Sequence, residues 1–163
     1  MPATRDEVIA ALGAANDEVE RLVSAAGQDA WSNHAYERWT AKHLLAHVAS
    51  TSGVAGFVLI MARNPGLHMG AGAPSRSGGG LDQDAWNAQQ VSMREGRTPE
   101  EMLDEVRGNI GRDLKALEAA PDDLLSGHFR APWDIEGTVG DVIVGSIHEH
   151  LMMHLRDLAA ALA

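Results

Sequence analysis

The 163-residue chain predicts an all-α protein, a four-helix bundle with an additional short helix. Three observations carry that expectation. Threonines followed three residues later by an acidic residue, at Thr4–Glu7, Thr98–Glu101 and Thr138–Asp141, are the spacing at which a hydroxyl caps the first turn of a helix. After each, apolar residues recur every three or four positions over bundle length. No alternating run of β-branched residues announces a strand.

Taken in order, Thr4 opens a helix whose buried stripe is Val8, Leu12, Ala15, Val19 and Leu22, and Gly27 ends it. A loop with Trp31 and Tyr36 leads to Trp39–Thr40, where Thr40 caps a second helix. Its stripe runs through Leu44, Val48, Ala55, Leu59 and Ala62, with a stop at Asn64–Pro65. Residues 64–81 lack periodicity. This glycine-rich loop has no Gly-Lys-Ser/Thr ending of a phosphate cradle, so it reads as a lid or a linker. A short helix is expected from Asp82 to Glu95. Thr98–Pro99–Glu100–Glu101 then starts a helix with Met102, Val106, Ile110, Leu114 and Leu117 inward, and Pro121 lies beyond its end. After a loop holding Trp133, Thr138 caps the last helix. The whole of 1–163 reads as one domain, with no internal repeat.

A chain of this size can bury roughly 70% of its unfolded surface. The net charge of −10 argues against nucleic acid and against an anionic membrane surface, both of which would repel it. There is no cysteine, which excludes disulfides, thiolate metal sites and a cysteine nucleophile. The polar N-terminus does not read as a signal peptide, and no stretch is expected to approach the ~20 apolar residues of a membrane span. A cytoplasmic protein with a small-molecule partner is the expectation.

The informative residues are histidines. His150 and His154 are four apart, one turn along the same helix face, among Val139, Ile143, Ile147, Leu158 and Ala161. His148 lies roughly 160° around the helix from His150 at ~100° per residue. Two neutral imidazoles make a platform for a divalent metal, although half-buried histidines in a polar seam would show the same spacing. A third nitrogen must come from elsewhere. His34, His68 and His128 fall in loops and His43 in a first helical turn. His47 flanks the stripe of the second helix, so a facing helix can bring it to the pair. Three histidines with an open position describe a catalytic rather than a structural site. Glu149, about 100° from His150, can at best orient a ligand.

The segment Trp39–Thr40–Ala41–Lys42–His43–Leu44–Leu45–Ala46–His47, with His150–Leu151–Met152–Met153–His154, resembles the DinB-like superfamily over about residues 5–160. That superfamily is known by a Trp-Ser/Thr opening that leads to a metal-binding histidine and by a histidine pair in the last long helix. The resemblance implies a four-helix bundle holding a divalent metal, here zinc or nickel, on His47, His150 and His154. It also implies kinship with mycothiol-dependent maleylpyruvate isomerase and bacillithiol-type thiol transferases, and a homodimer. His43 departs from the acidic residue frequent there. Asp84–Ala85–Trp86–Asn87 is similar to a polar motif near the thiol or substrate of some relatives, which makes Asp84 and Asn87 candidate substrate contacts. The plainer reading is an exposed first turn with one core tryptophan.

Arg94 and Arg97 could pair with a substrate carboxylate, whereas Trp39 and Trp133 read as packing residues. A metal with an open position activates either water or a thiol at neutral pH. With no cysteine in the chain, a thiolate would have to come from a mycothiol-like cosubstrate. A thiol transferase or isomerase acting on a small electrophile is the leading expectation. A metal-dependent hydrolase and a non-catalytic sequestering protein are the alternatives. No catalytic residue beyond the ligands is legible.

Overall fold

The computed structural model describes residues 1–67 and 81–163; His68 and the glycine-rich loop expected as a lid or linker lie outside the described residues. Four long rods form the bundle: α1 (Arg5–Ala25), the pair α2 (Ala41–Thr51) and α3 (Val54–Arg63), α5 (Pro99–Glu118), and a final rod. That last rod is α7 (Val139–Gly145), a π-helical turn (Ser146–Leu151) and α8 (Met152–Leu162). Short helices α4 (Gln83–Ser92) and α6 (Asp122–Ser126) pack against them. The core is their common apolar face, with Leu12, Leu44, Leu59, Met102, Ile143 and Leu155 fully buried.

The threonine caps form as the spacing predicts. Thr4, Thr98 and Thr138 each accept the amide three residues on, and Glu7 and Glu101 reach back to complete capping boxes. Thr40 caps α2 in the same way, with His43 in the place usually filled by Glu or Gln: its Nδ1 accepts the Thr40 N–H at 3.4 Å.

Three features depart from the sequence reading. The second helix is broken at Ser52–Gly53, and α5 clips the break. Asn109 Nδ2 donates to Ala49 O and Ser52 Oγ, while Asp113 Oδ2 accepts the Ala55 N–H at 3.1 Å. Asn109 and Asp113, one turn apart on α5, thus satisfy the carbonyl end of α2 and the amide end of α3. Gly56 lets Asp113 approach, since a Cβ there would lie less than 3.0 Å from its Oδ1.

Second, two antiparallel hairpins are present: β1 (His34–Tyr36) with β2 (Trp39–Thr40), and β3 (His128–Arg130) with β4 (Glu136–Thr138). Each ends on the threonine that caps a histidine-bearing rod, α2 and the final rod. In each case the first helical amide donates to the residue just before the hairpin, Ala41 N to Asn33 O and Val139 N to Gly127 O. Third, Ala41–Arg63 together span 23 residues and contain a window of mean hydropathy 1.8, long and apolar enough to cross a membrane, against the expectation of no such stretch. The break and the 56% of that apolar window buried inside the protein fit a core rod of the bundle.

Candidate metal centre

Three helical segments bring the histidines together. His47 lies in the second turn of α2, whose entry is held by the β1–β2 hairpin and Thr40. His150 lies in the π-helical turn and His154 in the first turn of α8. A π-helical turn inside an α-helix is an uncommon feature found frequently at functional sites; here it spans the residues around His150. The three imidazoles pack edge to face, with ring centroids 4.7 Å apart for His47–His154 and His150–His154 and 5.2 Å for His47–His150. One nitrogen from each ring falls within 4.8 Å of the others. Nε2 of His47 and Nε2 of His150 are 3.1 Å apart. Two nitrogens each 2.0–2.1 Å from one ion would sit about 2.9–3.4 Å apart for bond angles between square and tetrahedral.

His47 and His154 are 1% and 4% exposed, and burial sets their chemistry. It pushes the His47 imidazole down to about 3, with the two neighbouring rings adding to the shift. His150 is lowered to about 4, again by burial first and His154 second. His154 is lowered by burial, opposed by Asp157. All three are therefore neutral at pH 7, the form that binds metal. Nδ1 of His47 and Nδ1 of His154 are buried with no hydrogen-bond partner; the nearest carboxylate to the latter, Asp157 Oδ2, stands 3.8 Å away. The donor set, its spacing and its neutrality fit a divalent ion of the zinc or nickel type.

Aromatic rings close one side. Trp39 lies 5.2 Å from His47, and Tyr36 meets His154 edge-on at 5.5 Å, both from the first hairpin. The other side opens, through His150, into a cleft of about 630 Å³. Asn87 and Arg94 line this cleft; Asp84 is exposed and does not. Arg97 stands outside the lining and pairs with Glu105 at 2.7 Å. His148 is exposed and faces a separate surface hollow beside Glu7 and Asp141.

Trp133 packs against the core as read from sequence, and it also lines the cleft, its ring tilted against Phe57 at 5.8 Å. Phe57, Asn109 and Glu105 were not legible as cleft residues, because only the helix break and the packing of α2, α3 and α5 turn them there. Glu149 shares the lining with Ser146 and His150, the i, i+3, i+4 spacing of one helix face.

A helical bundle with these two hairpin-capped helices and a histidine cluster beneath a cleft defines a DinB-like protein. Residues 12–159 match the family described as the mycothiol maleylpyruvate isomerase N-terminal domain, and the chain belongs to that family. Two crystal structures of mycothiol-dependent maleylpyruvate isomerase share its fold, one of them a histidine-to-alanine variant. They give TM-scores of 0.68 and 0.66 at 15% identity, covering 100% of this chain. The chain spans 64% of the length of each. No curated protein matches the sequence.

Proposed function

We propose that this protein is a metal-dependent enzyme that joins a low-molecular-weight thiol of the mycothiol type to a small electrophile, as a transferase or an isomerase. The observation that carries the reading is the convergence of three neutral imidazoles, His47 and His154 buried and His150 half-buried where it lines a cleft. When bound, a divalent ion at this site would lower the pKa of a coordinated thiol toward neutrality.

The chain's own residues supply the rest. The three histidines would hold the ion, and His150 is the one that joins this cluster to the cleft. Phe57, Trp86 and Trp133 offer flat apolar walls for the electrophile, which exclude water from the reacting atoms. The sulfur must come from outside because the chain has none in cysteine. Family membership supports the thiol in preference to water as the activated group.

The test is metal analysis of untagged protein, followed by turnover of small electrophiles with and without added thiol. Saturable, thiol-dependent turnover that is lost in His150→Ala supports the reading. Turnover in thiol-free buffer would assign a metal-dependent hydrolase instead, and stoichiometric uptake without product would assign a binding protein.

A further inference from the structure

If the cleft receives the electrophile of the proposed thiol chemistry, its charge pattern bears on which electrophile it takes. Among the described residues, its charged lining consists of Arg94, Glu105 and Glu149. Arg94, the cation of the set, is already engaged. Its Nη2 and Nε donate to Glu105 at 2.6 and 3.1 Å, and its Nη1 donates to Gln90 O at 2.8 Å. The two side chains are only 14% and 17% exposed, so the fork is held in a partly desolvated setting where it is strong and rigid. Arg97, which also pairs with Glu105, stands outside the lining. An entering carboxylate meets a guanidinium whose inner donors are taken, Arg97 is held on the outer side of Glu105, and Glu149 is the one charged group of the described lining outside this network. The walls opposite are the faces of Phe57, Trp86, Trp133 and Ile135.

Resting on that proposed function, we infer that this cleft accepts an uncharged, flat electrophile and disfavours dicarboxylates, and that Glu105 is the specificity-determining residue because it neutralises Arg94. A bound divalent ion with an anionic thiol would add one net positive charge, which Glu149 offsets, so the loaded lining would gain no excess of positive charge for a dicarboxylate. Maleylpyruvate carries two carboxylates, so the inference separates the substrate of this chain from the compound in its family's name.

The test compares maleate with dimethyl maleate, which share a carbon skeleton and differ in charge. Binding is read as saturable quenching of tryptophan fluorescence, in metal-free protein so that no ion recruits maleate, and again with zinc added. The ester should bind with a Kd lower by about tenfold or more, the scale of one poorly screened charge. Glu105→Gln should then improve maleate by at least about fivefold through the freed Arg94, with the ester unchanged. Maleate binding as tightly as the ester in the metal-free wild type overturns the inference, as does a Glu105→Gln variant that is folded and gains nothing for maleate.

If Glu105→Gln fails to fold, the double variant Arg94→Gln/Glu105→Gln removes both charges and should retain the ester preference. A gain for maleate in that variant would also overturn the role given to Glu105. The two readings fail separately. Ester preference without thiol-dependent turnover removes the proposed function, whereas thiol-dependent turnover of maleate with no preference for the ester removes this inference.

Discussion

Replacing Gly56 by alanine sets helix propensity against the clip that holds the α2–α3 break. In an exposed helix the change would stabilise by up to about 1 kcal/mol. Here the new Cβ would lie less than 3.0 Å from Asp113 Oδ1, so the carboxylate must withdraw from the start of α3. That leaves the Ala55 N–H, now bonded at 3.1 Å in a buried setting, without a partner, at about 1–3 kcal/mol. The loss outweighs the gain, and the variant should be less stable by about 1–2 kcal/mol. For a chain of this length each kcal/mol lowers Tm by about 2–4 °C, which calorimetry or urea unfolding resolves. In an Asp113→Ala background the clash is gone, and Gly56→Ala should become neutral or stabilising, a coupling that a double-mutant cycle reads directly. A rise in Tm for Gly56→Ala alone would refute the clip.

Acidification should destabilise the metal-free protein. His47 and His150 titrate at about 3 and about 4 when folded against 6.5 unfolded. Their stability is therefore present above pH 6.5 and lost as the pH falls from there toward 4, at up to about 1.4 kcal/mol per pH unit for each. Asp113 acts with the opposite sign. Burial raises it to about 6, so its contribution is full below its unfolded value and lost as the pH rises through 6. Asp113→Asn should accordingly steepen the acid loss between pH 6 and 4 in urea titrations. The same lowered values let metal occupancy persist to about pH 5 before protons compete, checked by metal analysis after dialysis at stepped pH. His148→Ala should leave metal content and Tm unchanged, whereas His150→Ala should lower metal content with the far-ultraviolet spectrum of the bundle intact. Zinc at 100 times its Kd should stabilise by about 2.7 kcal/mol, and excess chelator should return Tm to the metal-free value.

The helices were legible because their determinants are local. Thr4–Glu7 and Thr98–Glu101 carry both halves of a capping box within four residues, and the apolar stripes need only helical periodicity. The break after Thr51 was not, because its causes, Asn109 and Asp113, lie more than fifty residues away. The hairpins escaped notice for a different reason. Their strands are two or three residues long, and their turns use Glu37 and Asp134 at positive φ, with none of the Asn-Gly or Asp-Gly pairs that announce a hairpin. The histidine cluster was partly legible. The spacing of His150 and His154 pointed to one face, and His47 could be chosen by its place beside the Leu44–Val48 stripe. The π-helical turn that carries His150 has no sequence signal of its own. The cleft walls were least legible, since Trp133 and Phe57 become a surface only through the packing of α3 against the loop before β4.

The measurement that bears most directly on the central claim is zinc-edge X-ray absorption on zinc-loaded, untagged protein, alongside metal stoichiometry. The account predicts one ion per chain with three imidazole nitrogens at about 2.0–2.1 Å, completed by a light atom that sulfur replaces when a small thiol is added. In His150→Ala the imidazole shell should fall to two and the stoichiometry below one. An ion with no imidazole shell, or an unchanged spectrum and stoichiometry in His150→Ala, would contradict it.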